Sequence, residues 1–256
     1  MLNTFIYRLF FRIAYWFIST IDKKGEVCFM NYGYHENEKE LSLSDENEKN
    51  RYAIQLYYQL TTSVNLKDKN ILEVGSGRGG GLNYIYQNFL PSSATGIDLN
   101  RKAIEFCNHK YKGKSLNFIH GNAESLPISS ESVDILINVE SSHSYPHIDK
   151  FLNEVHRVLK KDGYFLFADF RPKSNLPELR KNILEAQLKL ISERLITENV
   201  VAALDLIQDA REQQIRKLVP FIFRGMSRQF TALKGTPMYN NFINREMEYV
   251  LLLIQK

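Results

Sequence analysis

Between residues 70 and 170 the apolar positions fall into short runs separated by stretches of helical spacing. Asn70–Val74, Ala94–Ile97, Leu116–His120, Val133–Val139 and Tyr164–Phe170 have the length and apolar content of buried strands. The segments between them, Gly80–Phe89, Arg101–Tyr111 and His147–Leu159, read as helices, the last with Ile148, Phe151, Leu152, Val155 and Leu159 facing inward. Asp162-Gly163 reads as a turn ahead of the fifth strand. Upstream, Asp45 and Glu48 have the spacing of a capping box and open a helix to about Val64. Beyond Pro172 the pattern predicts a helix over Pro177–Leu188 and a strand over Leu190–Ile196. A partly basic helical region comes next, interrupted by Pro220, and "EMEYVLLLIQK" closes the chain as a last buried strand. Strands alternating with helices predict an α/β fold, a mostly parallel seven-stranded sheet with helices on both faces. No linker divides the chain. Residues 46–256 are expected to form one domain carrying a helical cap at about 198–232, behind an N-terminal helix and loop at 1–45.

That N-terminal segment is apolar and aromatic over Leu2–Ile21, but Arg8 and Arg12 sit in its middle. Each arginine costs about 2.5–3.5 kcal/mol at a bilayer centre, which argues against a spanning helix. Three readings stay open: a helix packed on the protein's own core or over its site, an interfacial helix at the inner face of a membrane, or a true membrane anchor. The composition, 44% hydrophobic and 24% charged over 256 residues, is that of a globular chain, and a net charge of +4 does not call for nucleic acid. Cys28 and Cys107 stand far apart with no ligand spacing, so no metal is expected and a reduced, cytoplasmic compartment fits.

The chemistry concentrates in "NILEVGSGRGGG", Asn70–Gly81. Gly75, Gly77 and Gly80 satisfy a dinucleotide fingerprint, whereas Gly75, Gly77 and Gly79 satisfy a pattern that begins with the acidic Glu73. A carboxylate at the strand end opposes a pyrophosphate and favours a ligand bearing an ammonium and a sulfonium, as S-adenosylmethionine does. Asp98 ends the next strand, where a carboxylate accepts from ribose hydroxyls. It could instead cap the following helix, a task open also to Asn100.

Four motifs in order resemble the class I S-adenosylmethionine-dependent methyltransferases over about residues 46–172: the glycine loop, Asp98, "GNAESLP" at Gly121–Pro127, and "LKKDGYFLFADF". Asn122 stands where that family usually has Asp, and Lys161-Asp162 where it usually has Pro-Gly. The resemblance implies a Rossmann-like fold and S-adenosyl-L-methionine held by Glu73, Gly75, Ser76, Gly77, Gly79, Asp98, Leu99, Asn122, Ala123, Glu124 and Val139. Within the family, "ESSHSYP" after the fourth strand, with "MNYGYHE" at Met30–Glu36, resembles the small-molecule and lipid branch that O-methylates long-chain lipids such as phthiotriol dimycocerosates.

On that reading His143 is the candidate base, since imidazole titrates near neutrality. Glu140 is expected to orient the cofactor or His143, and Tyr32, Tyr34 and His143 to meet a hydrophobic small-molecule or lipid substrate. Other readings stay open: C- or N-methylation, a nicotinamide-dependent oxidoreductase, and a binding protein without chemistry. Peripheral membrane contact through residues 2–21 stays open as one of the readings of that segment, and no nucleic-acid partner is expected.

Overall fold

The structure, a computed structural model, describes Thr20, Asp22 and residues 25–36 and 41–256. The expected helix over residues 2–21 therefore lies outside the described residues, apart from Thr20. The sheet has seven strands in the order β3-β2-β1-β4-β5-β7-β6. They are β1 (Asn70–Val74), β2 (Ser93–Asp98), β3 (Leu116–His120), β4 (Val133–Val139), β5 (Leu159–Pro172), β6 (Lys189–Leu195) and β7 (Met247–Gln255). The first five run parallel, and β7 inserts antiparallel between β5 and β6. The closing apolar run is thus a central strand, which is why its residues Glu248–Leu252 are buried without a break.

Helices cover both faces, so the core has two halves. Ile54, Leu60, Leu82 and Ile85 pack on one face, and Phe151, Leu152, Val155 and Ile183 on the other. The fifth strand runs straight through the expected turn at Asp162-Gly163, with Asp162 in the left-handed region at φ 61°. Pairing with β7 from Tyr164 to Pro172 carries the backbone on beyond that kink. The expected helix from Asp45 to about Val64 is broken after Glu48 and resumes as Arg51–Thr61. No side-chain cap closes either start, so the capping-box expectation fails. The cap comprises helices Thr197–Leu206, Gln208–Leu218 and Arg224–Phe230, and a further helix, Pro237–Ile243, leads into β7.

The carboxyl ends of β1, β2, β4 and β5 come together at one edge of the sheet, where chain order reverses across β1 and β4. Such switch points leave a crevice between the diverging loops.

Candidate active site

That crevice holds a cavity of about 760 Å³. On its β1 side Gly75, Ser76 and Gly77 form the wall. Gly75 has φ 74°, and a Cβ there would stand 2.2 Å from the Ser141 hydroxyl, so only glycine fits this close approach. Asp98 sits at the cavity edge of β2, where its Oδ2 accepts from the Gly77 amide at 2.9 Å and its Oδ1 from the Asn100 amide at 2.8 Å. Asn100 caps the next helix with its own side chain, accepting from the Lys102 and Ala103 amides, so the cap does not fall to Asp98. Asp98 lines the cavity at the end of β2, where a carboxylate can accept from ribose hydroxyls. Leu99, 54% exposed, presents an apolar flank beside it.

Asn122, Ala123, Glu124 and Val139 also line the cavity. Asn122 Oδ1 accepts the Glu124 amide at 3.0 Å, and Glu124 accepts the His147 amide at 2.9 Å, which fixes the loop after β3. The Ser76 hydroxyl is buried in the wall with no hydrogen-bond partner among the described residues, a polar atom that a ligand could satisfy. The acceptor Asp98 and the unsatisfied Ser76 hydroxyl suit the ribose and polar edge of a nucleoside.

Three expected site residues stand behind the wall. Glu73 is fully buried, accepts from the Tyr57 hydroxyl at 2.7 Å, and does not line the cavity. Burial pushes its pKa up to about 8 despite that bond, so it carries a proton at neutral pH. Its bonded partner Tyr57 lines the cavity, and Glu73 itself does not. Gly79 (φ 74°) caps the helix Gly80–Phe89, and a Cβ there would meet Phe118 and Cys107 at 2.8–2.9 Å. Tyr34 is buried beside Glu36, its amide donating to the Tyr52 carbonyl.

The expected base His143 also lines the cavity. His143 lies on a short turn after β4, 10% exposed, its ring stacked on Phe170 at 4.4 Å. Its Nδ1 meets Asp169 Oδ1 at 2.8 Å, and its amide donates to Asp169 Oδ2 at 3.0 Å. Asp169 is fully buried near the end of β5 and also accepts from the Ser142 hydroxyl at 2.7 Å, with Arg171 3.1 Å away. Burial would raise its pKa, but Arg171, His143 and Ser142 together hold it well below the usual carboxylate range. The partner that orients His143 is thus Asp169, not Glu140.

Glu140 has a different task. Its Oε1 accepts from the Tyr32 amide at 2.7 Å and the Tyr249 hydroxyl at 2.9 Å, pinning the segment 25–36 across the cavity. Burial pushes its pKa up to about 8, and its backbone is in the left-handed region at φ 45°, a strain that the surrounding bonds must hold. Tyr32 lines the cavity from that segment. Arg78, which the glycine pattern does not single out, is buried and ties the segment down as well. It bonds the Asp22 carbonyl at 2.9 Å, lies 3.3 Å from the Asp22 carboxylate and stacks over Phe106. A charged residue inside a glycine loop, and an aspartate between two phenylalanines in "FADF", were the available signals for Arg78 and Asp169.

A family model described as a methyltransferase domain matches residues 72–167. The chain is 39% identical over 214 residues to the fatty-acid O-methyltransferase of Mycolicibacterium smegmatis, covering 83% of this chain and 78% of that one. It is 35% identical over 250 residues to the phthiotriol/phenolphthiotriol dimycocerosates methyltransferase of Mycobacterium leprae, covering 96% and 92%. Among solved structures, geranyl diphosphate C-methyltransferase from Streptomyces coelicolor A3(2) superposes with a TM-score of 0.68 at 14% identity, covering 96% of this chain and 98% of that one. The cyclase SpnF reaches 0.73 at 16% identity, covering 95% and 94%, so the shared fold alone does not choose the reaction.

Proposed function

Since the chain belongs to the class I S-adenosylmethionine-dependent methyltransferases, among relatives of the phthiotriol/phenolphthiotriol dimycocerosate enzymes, we propose that it methylates a hydroxyl on a hydrophobic small molecule or lipid. When bound, S-adenosylmethionine supplies an electrophilic methyl on a sulfonium. Asp98 would hold the ribose, Leu99 and Ala123 would flank the base, Asn122 would meet its edge, and the turn Gly75–Gly77 would let the backbone approach closely. Tyr32 and Phe170 give the acceptor an apolar wall.

The observation that carries the reading is His143 on the cavity wall with the buried Asp169 bonded behind it. A hydroxyl must lose its proton as its oxygen attacks. With Nδ1 held by Asp169, His143 takes that proton on Nε2, and the ionised Asp169 stabilises the imidazolium that forms. His143→Ala is expected to lower kcat on a hydroxyl acceptor by about 10²–10⁴-fold. Affinity for S-adenosylhomocysteine, measured by titration calorimetry, is expected to stay unchanged. An unchanged kcat on the acceptor would remove His143 as the base.

A second reading has support from the fatty-acid O-methyltransferase at 39% identity. A carboxylic acid is already ionised at neutral pH and needs no base. On a fatty-acid acceptor the same substitution is expected to change kcat by less than about threefold, so the two acceptors separate in one experiment. The expected location is the cytoplasm, peripheral at the inner face of the membrane through residues 2–21, whose arginines and aromatic residues suit an interfacial helix. Among the described residues no helix is long and apolar enough to cross a membrane.

A further inference from the structure

The cap carries an exposed apolar tip. After the helix Gln208–Leu218 the chain turns at Pro220 into a short turn, Phe221–Phe223, before the helix Arg224–Phe230 begins. Phe221 is 82% exposed and Ile222 79%. Single exposed apolar residues need no explanation, but adjacent ones at the apex of a turn, with an aromatic ring among them, do.

The surroundings of the tip are basic. Residues 212–228 carry four basic side chains, Arg216, Lys217, Arg224 and Arg228, and one acidic, Glu212. Glu212 is shared between Arg216 and Arg228, so it neutralises the pair only in part. Lys217 pairs with Glu26 on the segment that crosses the cavity, 2.8 Å away. Arg224 is held instead by main-chain carbonyls, those of Val219 at 3.1 Å and Arg216 at 2.9 Å, and lies against the Phe221 ring. An apolar apex on a cationic shoulder is complementary to an anionic lipid surface, with the rings at acyl-chain depth and the guanidinium at the headgroups.

The residues just before the tip reach the interior. Leu218 and Val219, immediately before Pro220, line a second cavity of about 80 Å³ between the cap and residues 27–32. Phe29, Met30, Asn31, Tyr32 and Phe230 line both cavities. A chain leaving a bilayer beneath the tip would meet this apolar gap before the active site.

We propose that Phe221 and Ile222, with the basic residues around them, dock the enzyme on an anionic lipid surface and so set the second cavity over the bilayer as the entry for a long-chain acceptor. The entry role rests on the lipid acceptor proposed above; the docking itself does not. The test is co-sedimentation of the full chain with vesicles of phosphatidylglycerol and phosphatidylcholine in equal parts, beside vesicles of phosphatidylcholine alone. Wild-type protein is expected to partition onto the anionic vesicles, less so as salt is raised. The double variant Phe221→Ser/Ile222→Ser is expected to lose about tenfold or more in partitioning while binding S-adenosylhomocysteine as tightly as wild type, which shows that it is folded. Its activity on a short-chain, water-soluble acceptor is expected to match wild type, with activity on a vesicle-borne acceptor falling in step with binding. Partitioning of the double variant equal to wild type overturns the proposal, leaving residues 2–21 to account for binding or the tip to a protein partner. Equal binding to both kinds of vesicle overturns the anionic surface. Neither result bears on His143, whose test uses no membrane.

Discussion

At the scale of single residues, the buried carboxyls divide by their surroundings. Asp169 is ringed by donors and stays ionised, while Glu73 and Glu140 have few and are pushed to about 8. The ionised one is hydrogen-bonded to His143, and on the proposed reading it positions that ring. Asp169→Asn keeps the size but loses the charge that supports an imidazolium. It is expected to lower kcat by about 10²–10⁴-fold with little change in the KM for S-adenosylmethionine, a split that a structural lesion would not give. For Glu73 the consequence is stability. Its pKa in the fold, about 8, lies above the ordinary 4.5, so the folded chain holds a proton that the unfolded chain releases. Its contribution is full below pH ~4.5 and fades as pH rises through about 8. Glu73→Gln keeps an acceptor for Tyr57 and removes that dependence. Urea unfolding is expected to show a gain on the order of 1–3 kcal/mol for the variant at pH 8 relative to pH 5. Glu140 has the same sign and leaves a residual slope.

At the scale of elements, the site is made by strand ends and the loops that leave them. The turn after β1 depends on close approach: Gly75→Ala must move Ser141, itself within 2.8 Å of Asn138, and must hold a side chain at φ 74°. A loss of about 1–3 kcal/mol in stability is expected, together with weakened cofactor binding, both read by thermal shift with and without S-adenosylhomocysteine. The helix after β2 starts at an Asn100 cap. Asn100→Ala is expected to cost about 1 kcal/mol in chemical denaturation. Asp98 would then be the nearest side chain able to take over the cap. These helix starts were legible because caps and glycine turns are local. The capping-box spacing at Asp45 misled because spacing permits a reciprocal bond but does not form one. At Lys49–Asn50 the chain breaks the helix instead.

At the scale of the whole molecule, the cavity is roofed by a segment distant in sequence from its floor. Tyr32 is bonded to Glu140, Asp22 to Arg78, Asn31 to Arg211 and Glu26 to Lys217. The roof is therefore joined to both the sheet and the cap, and a ligand beneath it is expected to stabilise all three together. S-adenosylhomocysteine at a hundred times its Kd is expected to add about 2.7 kcal/mol, a rise of about 5–10 °C in Tm for a chain of this size. A single cooperative transition in calorimetry, shifted as a whole, would show that roof, sheet and cap respond as one unit.

While His143 is singled out by the resemblance that "ESSHSYP" carries, the sequence by itself determined the layered α/β architecture, the glycine turn and the place of Asp98 at a strand end. Each depends on apolar period, on backbone conformations open only to glycine, or on a side chain at a strand end, and these are properties of neighbours along the chain. Only the tertiary structure decided which carboxyl faces the cavity and which lies behind it, and which one holds His143. Asp169 reaches His143 from a different strand, 26 residues on. Glu73 and Asp98 both sit at or near strand ends, yet one is packed against Tyr57 and the other opens to the cavity. The sign and size of a carboxyl's pKa shift come from burial and donors brought together by folding, and no spacing in the chain encodes them.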